Sequence, residues 1–352
     1  MRIAIVNDMA MAVEALRRVI VAEPAYKLAW IARNGAEAVA QCKLDTPDLI
    51  LMDLMMPVMD GAEATRLIMH GSPCPILIVT SAFEANSTKV FEALGSGALD
   101  AVQTPLLADG GATAGSSALK FKINKIGSQG SQDQNPSKGL RSEPHNPNDR
   151  LIAIGASAGG PAALATILSG LPRDFPAAIV IVQHLDAQFV PSLSTWLNEV
   201  SPIPVRVARQ GDRPLPNTVL IAGTNDHLLF TNSQSLGYDP EPRDYVYRPS
   251  IDVFLKSVVR HWQGKAAGVL LTGMGKDGAM GLRAMRDVGF LTIAQDAATS
   301  VVYGMPKAAA ELQAAAIVVP VTEIASVLIS FVALAAKKFV DKKYEKLKST
   351  GD

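Results

Sequence analysis

The chain has 352 residues, 48% of them hydrophobic, which is enough for two domains with a core each. Lys plus Arg and Asp plus Glu both number 33, so the charge balance argues against nucleic acid or an anionic membrane surface as partner. The two cysteines, Cys42 and Cys74, have neither disulfide-framework nor zinc-ligand spacing, which fits a reducing cytoplasm, and Met1–Asp8 runs into a strand pattern rather than a signal peptide.

Arg2–Val6 (RIAIV) reads as a buried strand ending at Asn7-Asp8, and a helical pattern follows through Val13, Leu16 and Val19. Lys27–Ala32 is a second strand and Gly35–Cys42 a second helix. Leu49–Met52 ends at Asp53, Pro75–Val79 ends at Thr80-Ser81, and Leu99–Val102 stops just before Pro105. This alternation predicts a parallel sheet with helices on both faces, with functional groups gathered beyond the carboxyl ends of the strands. Asp8, Asp53 and Thr80 all fall at such ends. Two carboxylates that close repel unless a hard cation lies between them, so a magnesium site is the economical explanation. Acidic residues also serve as ordinary turns and caps, and Asp8 alone reads that way.

From 106 to 149 the periodicity is lost to Gly, Ser, Asn, Gln and Pro, the composition of a mobile tether. The short piece Leu119–Ile126 (LKFKINKI) within it fits a helix or an extended segment equally.

A second alternating unit begins at Leu151–Gly160 (LIAIGASAGG), an apolar strand feeding a glycine-rich turn around Ser157 and then a helix after Pro161. Gly155-x-Ser157-x-Gly159 has the spacing of a nucleophile elbow, although phosphate and dinucleotide loops use glycines in the same setting. Ala177–Gln183 is a strand ending at His184, and Phe189–Val200 a helix. Val205–Ala208 and Val219–Ala222 are short strands, and His227–Thr231 pairs as part of a hairpin. Ser250 caps a helix running to Trp262. Ala266–Thr272 is a buried strand that ends in Gly273-Met274-Gly275-Lys276-Asp277-Gly278. Beyond it come a helix (Gly281–Val288), a strand (Leu291–Ala294) and a helix (Pro306–Leu312). The apolar run Ala314–Ala336 contains Pro320, Thr322, Glu323 and Ser326, so it reads as a globular strand and helix rather than a bilayer span.

Ser157, His184 and Asp277 each follow an apolar strand at its carboxyl end, and their chemistry is complementary. A histidine removes the serine proton during attack and later protonates the leaving group, while a carboxylate fixes the imidazole tautomer. The chain order Ser, His, Asp differs from that of the α/β-hydrolases. Taken singly, His184 is equally a satisfied core histidine and Asp277 a cap. His227 is the main rival base, whereas His70, His145 and His261 look incidental.

The segment Leu51–Gly61 (LMDLMMPVMDG) resembles the phosphoacceptor region of response-regulator receiver domains, which implies a flavodoxin-like doubly wound parallel sheet over 1–105. The resemblance implies that Asp53 accepts a phosphoryl group from a CheA-type histidine kinase, that Thr80 binds the phosphoryl oxygens, and that Asp8, Asp53 and the Met55 carbonyl hold magnesium. Departures are Asn7 where an acidic residue is usual, Thr104 where receivers carry lysine, and Ala101 near the usual aromatic switch position.

The motifs Ile154–Pro161, Gln183-His184, Tyr247–Asp252, Leu271–Gly278 and Gln295–Pro306 together resemble the chemotaxis protein-glutamate methylesterases of the CheB type. The stretch 6–18 looks most like the branch serving Wsp-type surface-sensing pathways. This resemblance implies an α/β methylesterase domain with a mostly parallel sheet over 150–340, and a basic tail over 341–352. It further implies a cytoplasmic enzyme needing no catalytic cofactor, acting on methyl-accepting chemoreceptors. Ser157 would attack the glutamyl methyl ester with His184 as base and Asp277 behind it, and the same acyl-enzyme would serve glutamine deamidation. Backbone N–H groups at Ala158 and Met274 would stabilise the oxyanion, and Tyr247 and Arg248 would line the cleft. The family often has threonine at the position of Ala158. The receiver would cover the cleft until Asp53 is phosphorylated. The competing reading is a receiver fused to a non-catalytic binding or adaptor domain, and a DNA-binding output is disfavoured because no helix-turn-helix follows the receiver.

Overall fold

The computed structural model describes residues 1–81, 87–105, 116–127, 149–232, 235–243, 245 and 247–333. In the first unit the elements run β1 (Arg2–Val6), α1 (Ala10–Val21), β2 (Lys27–Ala32), α2 (Gly35–Leu44), β3 (Leu49–Met52), α3 (Gly61–Gly71), β4 (Ile76–Thr80), α4 (Ser87–Gly95), β5 (Asp100–Gln103) and α5 (Ser116–Gly127). The strands form one sheet in the order β2-β1-β3-β4-β5, and every pairing is parallel. Helices cover both faces, so β3 and β4 are buried along their whole length, β3 apolar throughout and β4 apolar up to Thr80. Two helix starts are set by capping: Asn34 accepts from the Glu37 N–H, and Asp60 accepts from the Glu63 N–H.

The second unit holds β6 (Arg150–Ala156), α6 (Gly160–Ser169), β7 (Ala178–Gln183), α7 (Val190–Val200), β8 (Val205–Val207), β9 (Thr218–Ile221), β10 (His227–Phe230), β11 (Leu236–Asp239), α8 (Ile251–His261), β12 (Lys265–Leu270), α9 (Ala279–Asp287), β13 (Leu291–Gln295), α10 (Met305–Glu311) and β14 (Ile317–Val319). A last helix, α11, occupies 321–333. Seven parallel strands lie in the order β14-β13-β12-β6-β7-β9-β8, with β10 and β11 apart as an antiparallel hairpin. Because β6 sits between β7 and β12, the strand order reverses beside it, which opens a crevice at its carboxyl end. The apolar run near the C-terminus is the expected strand and helix, and among the described residues no helix is long and apolar enough to cross a membrane.

One expectation is corrected. The tether was expected from 106 to 149, yet 116–127 within it is α5. Leu119 and Ile123 are buried against Ile3, Leu49, Leu77 and Val102, completing one face of the first sheet. The polar residues between them masked a helical spacing of four. The rest of the tether expectation, over 106–115 and 128–148, and the basic tail lie outside the described residues.

The two units pack through the α4 edge of the first. The Phe91 ring stacks on Trp196 of α7, with centroids 5.4 Å apart. A Cβ at Gly95 would stand 2.9 Å from the Cβ of Ala162, so α4 and α6 approach at backbone distance. Lys122 of α5 donates to Asp100 at 2.8 Å and lies 5.6 Å from the Phe189 ring centroid. Buried side chains from both units form one continuous apolar cluster across this contact.

Candidate active site

Strand register brings Ser157 and His184 to one edge. Ala156 pairs with Gln183 across β6 and β7, and the His184 N–H donates to the Ala156 carbonyl at 2.9 Å, so the next residues emerge side by side. On the other flank the Ser157 N–H donates to Thr272 at 3.0 Å, which ties the serine to the loop after β12. Gly159 turns the chain into α6 at φ +75°, a conformation that glycine adopts without strain. Gly273 is required for a different reason: a Cβ there would stand 2.6 Å from the Ser157 Cβ. The main chain of Gly273 therefore lies directly against the serine. Ala158 and Met274 are the next residues in the chain after Ser157 and Gly273.

The imidazole of His184 meets Asp277 through Nε2, at 2.8 Å. Asp277 is held by the start of α8, where Ser250 Oγ (2.8 Å), the Ile251 N–H (2.7 Å) and the Asp252 N–H (3.1 Å) all donate to it. Burial acts to raise the Asp277 pKa, but His184, Ile251 and Ser250 outweigh it and hold the carboxyl below its ordinary value. An ionised Asp277 fixes the proton on Nε2 and leaves Nδ1 as the basic nitrogen. The Tyr247 ring lies parallel to His184 with centroids 4.3 Å apart, and burial with the charges of Asp277 and Asp100 pushes its phenol to about 12. Arg248 is exposed beside it.

His227 is not placed as a base. It is fully buried, its Nδ1 accepts from the Ser250 N–H at 3.0 Å, and its Nε2 therefore carries the hydrogen donated to Pro242. It pins the start of α8 from behind. His70 and His261 end α3 and α8, and His145 lies outside the described residues.

At the carboxyl edge of the first sheet, Asp53 Oδ1 accepts from the Leu54 N–H (2.8 Å) and Oδ2 from Asn7 Nδ2 (3.1 Å). Burial, with the nearby charge of Asp8, pushes Asp53 up to about 6. Two carboxylates that close, Asp8 and Asp53, are oxygen donors of the kind a hard cation takes, and a cation between them would relieve that repulsion. Thr80 is buried at the end of β4, and the Thr104 N–H donates to its carbonyl at 3.1 Å.

Sequence reasoning missed the role of Asn7 as a donor to Asp53, and it missed Ser250, Ile251 and Asp252 as the cradle of Asp277. The helix cap at Ser250 was visible, but its second bond to Asp277 spans the fold. Cys42 and Cys74 also meet in the core, with sulfurs 3.7 Å apart, despite their distant positions in the chain.

Residues 152–328 match the CheB methylesterase family model, and residues 3–109 match the response regulator receiver domain. The chain is 56% identical over 333 residues to a protein-glutamate methylesterase/protein-glutamine glutaminase of Mesorhizobium japonicum, covering 94% of this chain and 98% of that one. It is 55% identical to a Pseudomonas aeruginosa protein of the same description, covering 92% and 98% respectively. Among solved structures, the Thermotoga maritima CheB methylesterase catalytic domain is 36% identical, with a TM-score of 0.50 over 52% of this chain and 98% of that one. With a parallel α/β unit of seven strands behind a receiver of five, this chain belongs to the CheB methylesterase family.

Proposed function

We propose that the protein hydrolyses glutamyl methyl esters on methyl-accepting chemoreceptors and that Ser157, His184 and Asp277 carry the reaction. Ser157 Oγ attacks the ester carbonyl while His184 Nδ1 takes its proton. The backbone N–H groups of Ala158 and Met274 meet the developing oxyanion, each such donor being worth about 3 kcal/mol in comparable sites. The imidazolium returns the proton to the methoxy oxygen, methanol leaves, and water activated by His184 releases the glutamate and the free serine. A glutamine side chain would follow the same course with ammonia leaving. Tyr247 keeps the imidazole plane fixed by stacking, and the exposed Arg248 would line the substrate cleft.

The observation that carries this reading is the ionised Asp277 at 2.8 Å from His184, on the neighbouring strand end to Ser157. The non-catalytic alternative gives no reason to hold a buried carboxylate behind an imidazole. Ser157→Ala tests it: methanol release from methylated receptor should fall to trace levels in a folded protein. Substantial hydrolysis by that variant would place the nucleophile elsewhere.

Control would come from the receiver. A CheA-type histidine kinase would phosphorylate Asp53, with Thr80 binding the phosphoryl oxygens. A magnesium ion held by Asp8, Asp53 and the Met55 carbonyl would neutralise charge there. Two contacts support occlusion of the cleft by the unphosphorylated receiver. The charge of Asp100 reaches Tyr247, and a Cβ at Gly97 would stand 3.2 Å from Val301, which also packs on Gly159. The assignment to a Wsp-type branch rests on the stretch 6–18.

A further inference from the structure

Helices α8 and α9 exchange carboxylates at their starts. Asp277, just before α9, accepts from Ser250, Ile251 and Asp252 at the start of α8. Asp252, in the first turn of α8, returns the contact: its Oδ1 accepts from the Gly281 N–H of α9 at 2.6 Å. Asp252 thus touches Asp277 through its own N–H and the helix behind Asp277 through its side chain. Its side chain is buried, and no step of the proposed chemistry uses it.

We propose that Asp252 is a positioning residue for ester hydrolysis, fastening the start of α9 to the start of α8 so that the loop carrying Asp277 stays aimed at His184. This rests on the reading of Asp277 as the carboxylate behind the base. One Asp277 oxygen, Oδ2, serves both His184 and the Ile251 N–H. All the donors on α8 bind the carboxylate itself, so they aim it only while the loop that carries Asp277 stays in register with the start of α8. A bond from α8 to the far side of the loop keeps that register.

Electrostatics are consistent with the same role. Burial and the charge of Asp277 push Asp252 up to about 7, against the pull of Gly281, Lys256 and Gly278. Below neutrality it therefore holds the loop without placing a second negative charge beside Asp277. On α9, Arg283 pairs with Asp287 and Arg286 donates to Ala315, while Lys276 before Asp277 is exposed. His184 meets this helix start through Asp277, and His227 through the Ser250 N–H.

The test uses the full chain with a phosphodonor and measures kcat, KM and the pH profile of methanol release for Asp252→Ala, Asp252→Asn and Asp277→Ala. Asp252→Ala should lower kcat by about 10- to 100-fold with little change in KM, the scale expected when a catalytic group drifts by about an ångström. The acid limb of its kcat/KM profile should move to lower pH, because a misaligned Asp277 supports the imidazolium less. Asp252→Asn keeps an acceptor for Gly281 and resembles the protonated residue, so it should regain most of the lost kcat and the wild-type acid limb. If Asp252→Ala does not fold, Asp252→Ser, too short to reach Gly281, takes its place with the same expectations. A folded variant of either kind with wild-type kcat and pH profile overturns the inference, as does an Asp252→Asn no faster than Asp252→Ala. If Asp277→Ala itself keeps full activity, the underlying assignment of Asp277 fails instead.

Discussion

Replacing Trp196 by alanine tests whether the receiver gates the esterase. Trp196 stacks on Phe91 across the domain contact, and Phe91 is fully buried there. Opening the interface separates the two rings, so the truncation weakens the closed form selectively. A stacked aromatic pair contributes roughly 0.5–1.5 kcal/mol beyond its area. Adding the apolar contact that the indole loses brings the total to about 2 kcal/mol. That shifts the closed-to-open ratio about 30-fold. The assay is methanol release from methylated receptor by full-length protein, with and without a saturating phosphodonor. The unstimulated rate should rise several-fold to about 30-fold, while the stimulated rate stays near wild type, since phosphorylated protein is already open. An unstimulated rate that does not change would refute gating through this contact. An equal rise in both conditions would show that the substitution acts on the catalytic unit instead.

Asp53 should make the receiver more stable in acid than at neutrality. Its folded pKa is raised from 3.8 to about 6, so its contribution is present below about pH 4 and is lost as pH rises through about 6, by up to about 3 kcal/mol. Asp53→Asn should abolish that loss, and hydrogen exchange of the Leu49–Met52 amides near pH 4 and pH 7 checks it; parallel pH dependence in the variant would mean that another group is responsible. Magnesium should protect the wild-type amides at neutral pH and leave those of the variant unchanged. Gly273→Ala would drive a Cβ to 2.6 Å from that of Ser157 and 2.4 Å from Met305 Sδ. It should cut kcat by about 100-fold in a protein that still folds, and a variant with normal kcat would show that the serine turn tolerates displacement.

Period and punctuation carried most of this fold. Buried parallel strands such as β3 and β4 are apolar up to a polar residue at or just beyond their carboxyl end, so Asp53, Thr80, Ser157 and His184 could be singled out from their position at a strand end. The order of strands was not legible, because it depends on which crossover lies on which side of β6. Nor was the cradle of Asp277. Ser250 advertises itself locally as a helix cap, whereas its bond to a carboxylate 27 residues away exists only once α8 and the loop after β12 are packed. The helix at 116–127 was hidden because its core-facing residues Leu119, Ile123 and the half-buried Ile126 are interleaved with Lys120, Lys122 and Asn124, which give the window a polar average.

The junction built from Phe91, Gly95, Trp196 and Ala162 has a thermodynamic corollary that runs backwards from the usual direction of signalling. If phosphorylation loosens that junction and a docked chemoreceptor segment also requires it to part, the two events favour one another by the same free energy. A receptor segment engaged at the esterase should then shift the equilibrium of Asp53 towards its phosphorylated form, so the activated state would be favoured on the receptors still being demethylated.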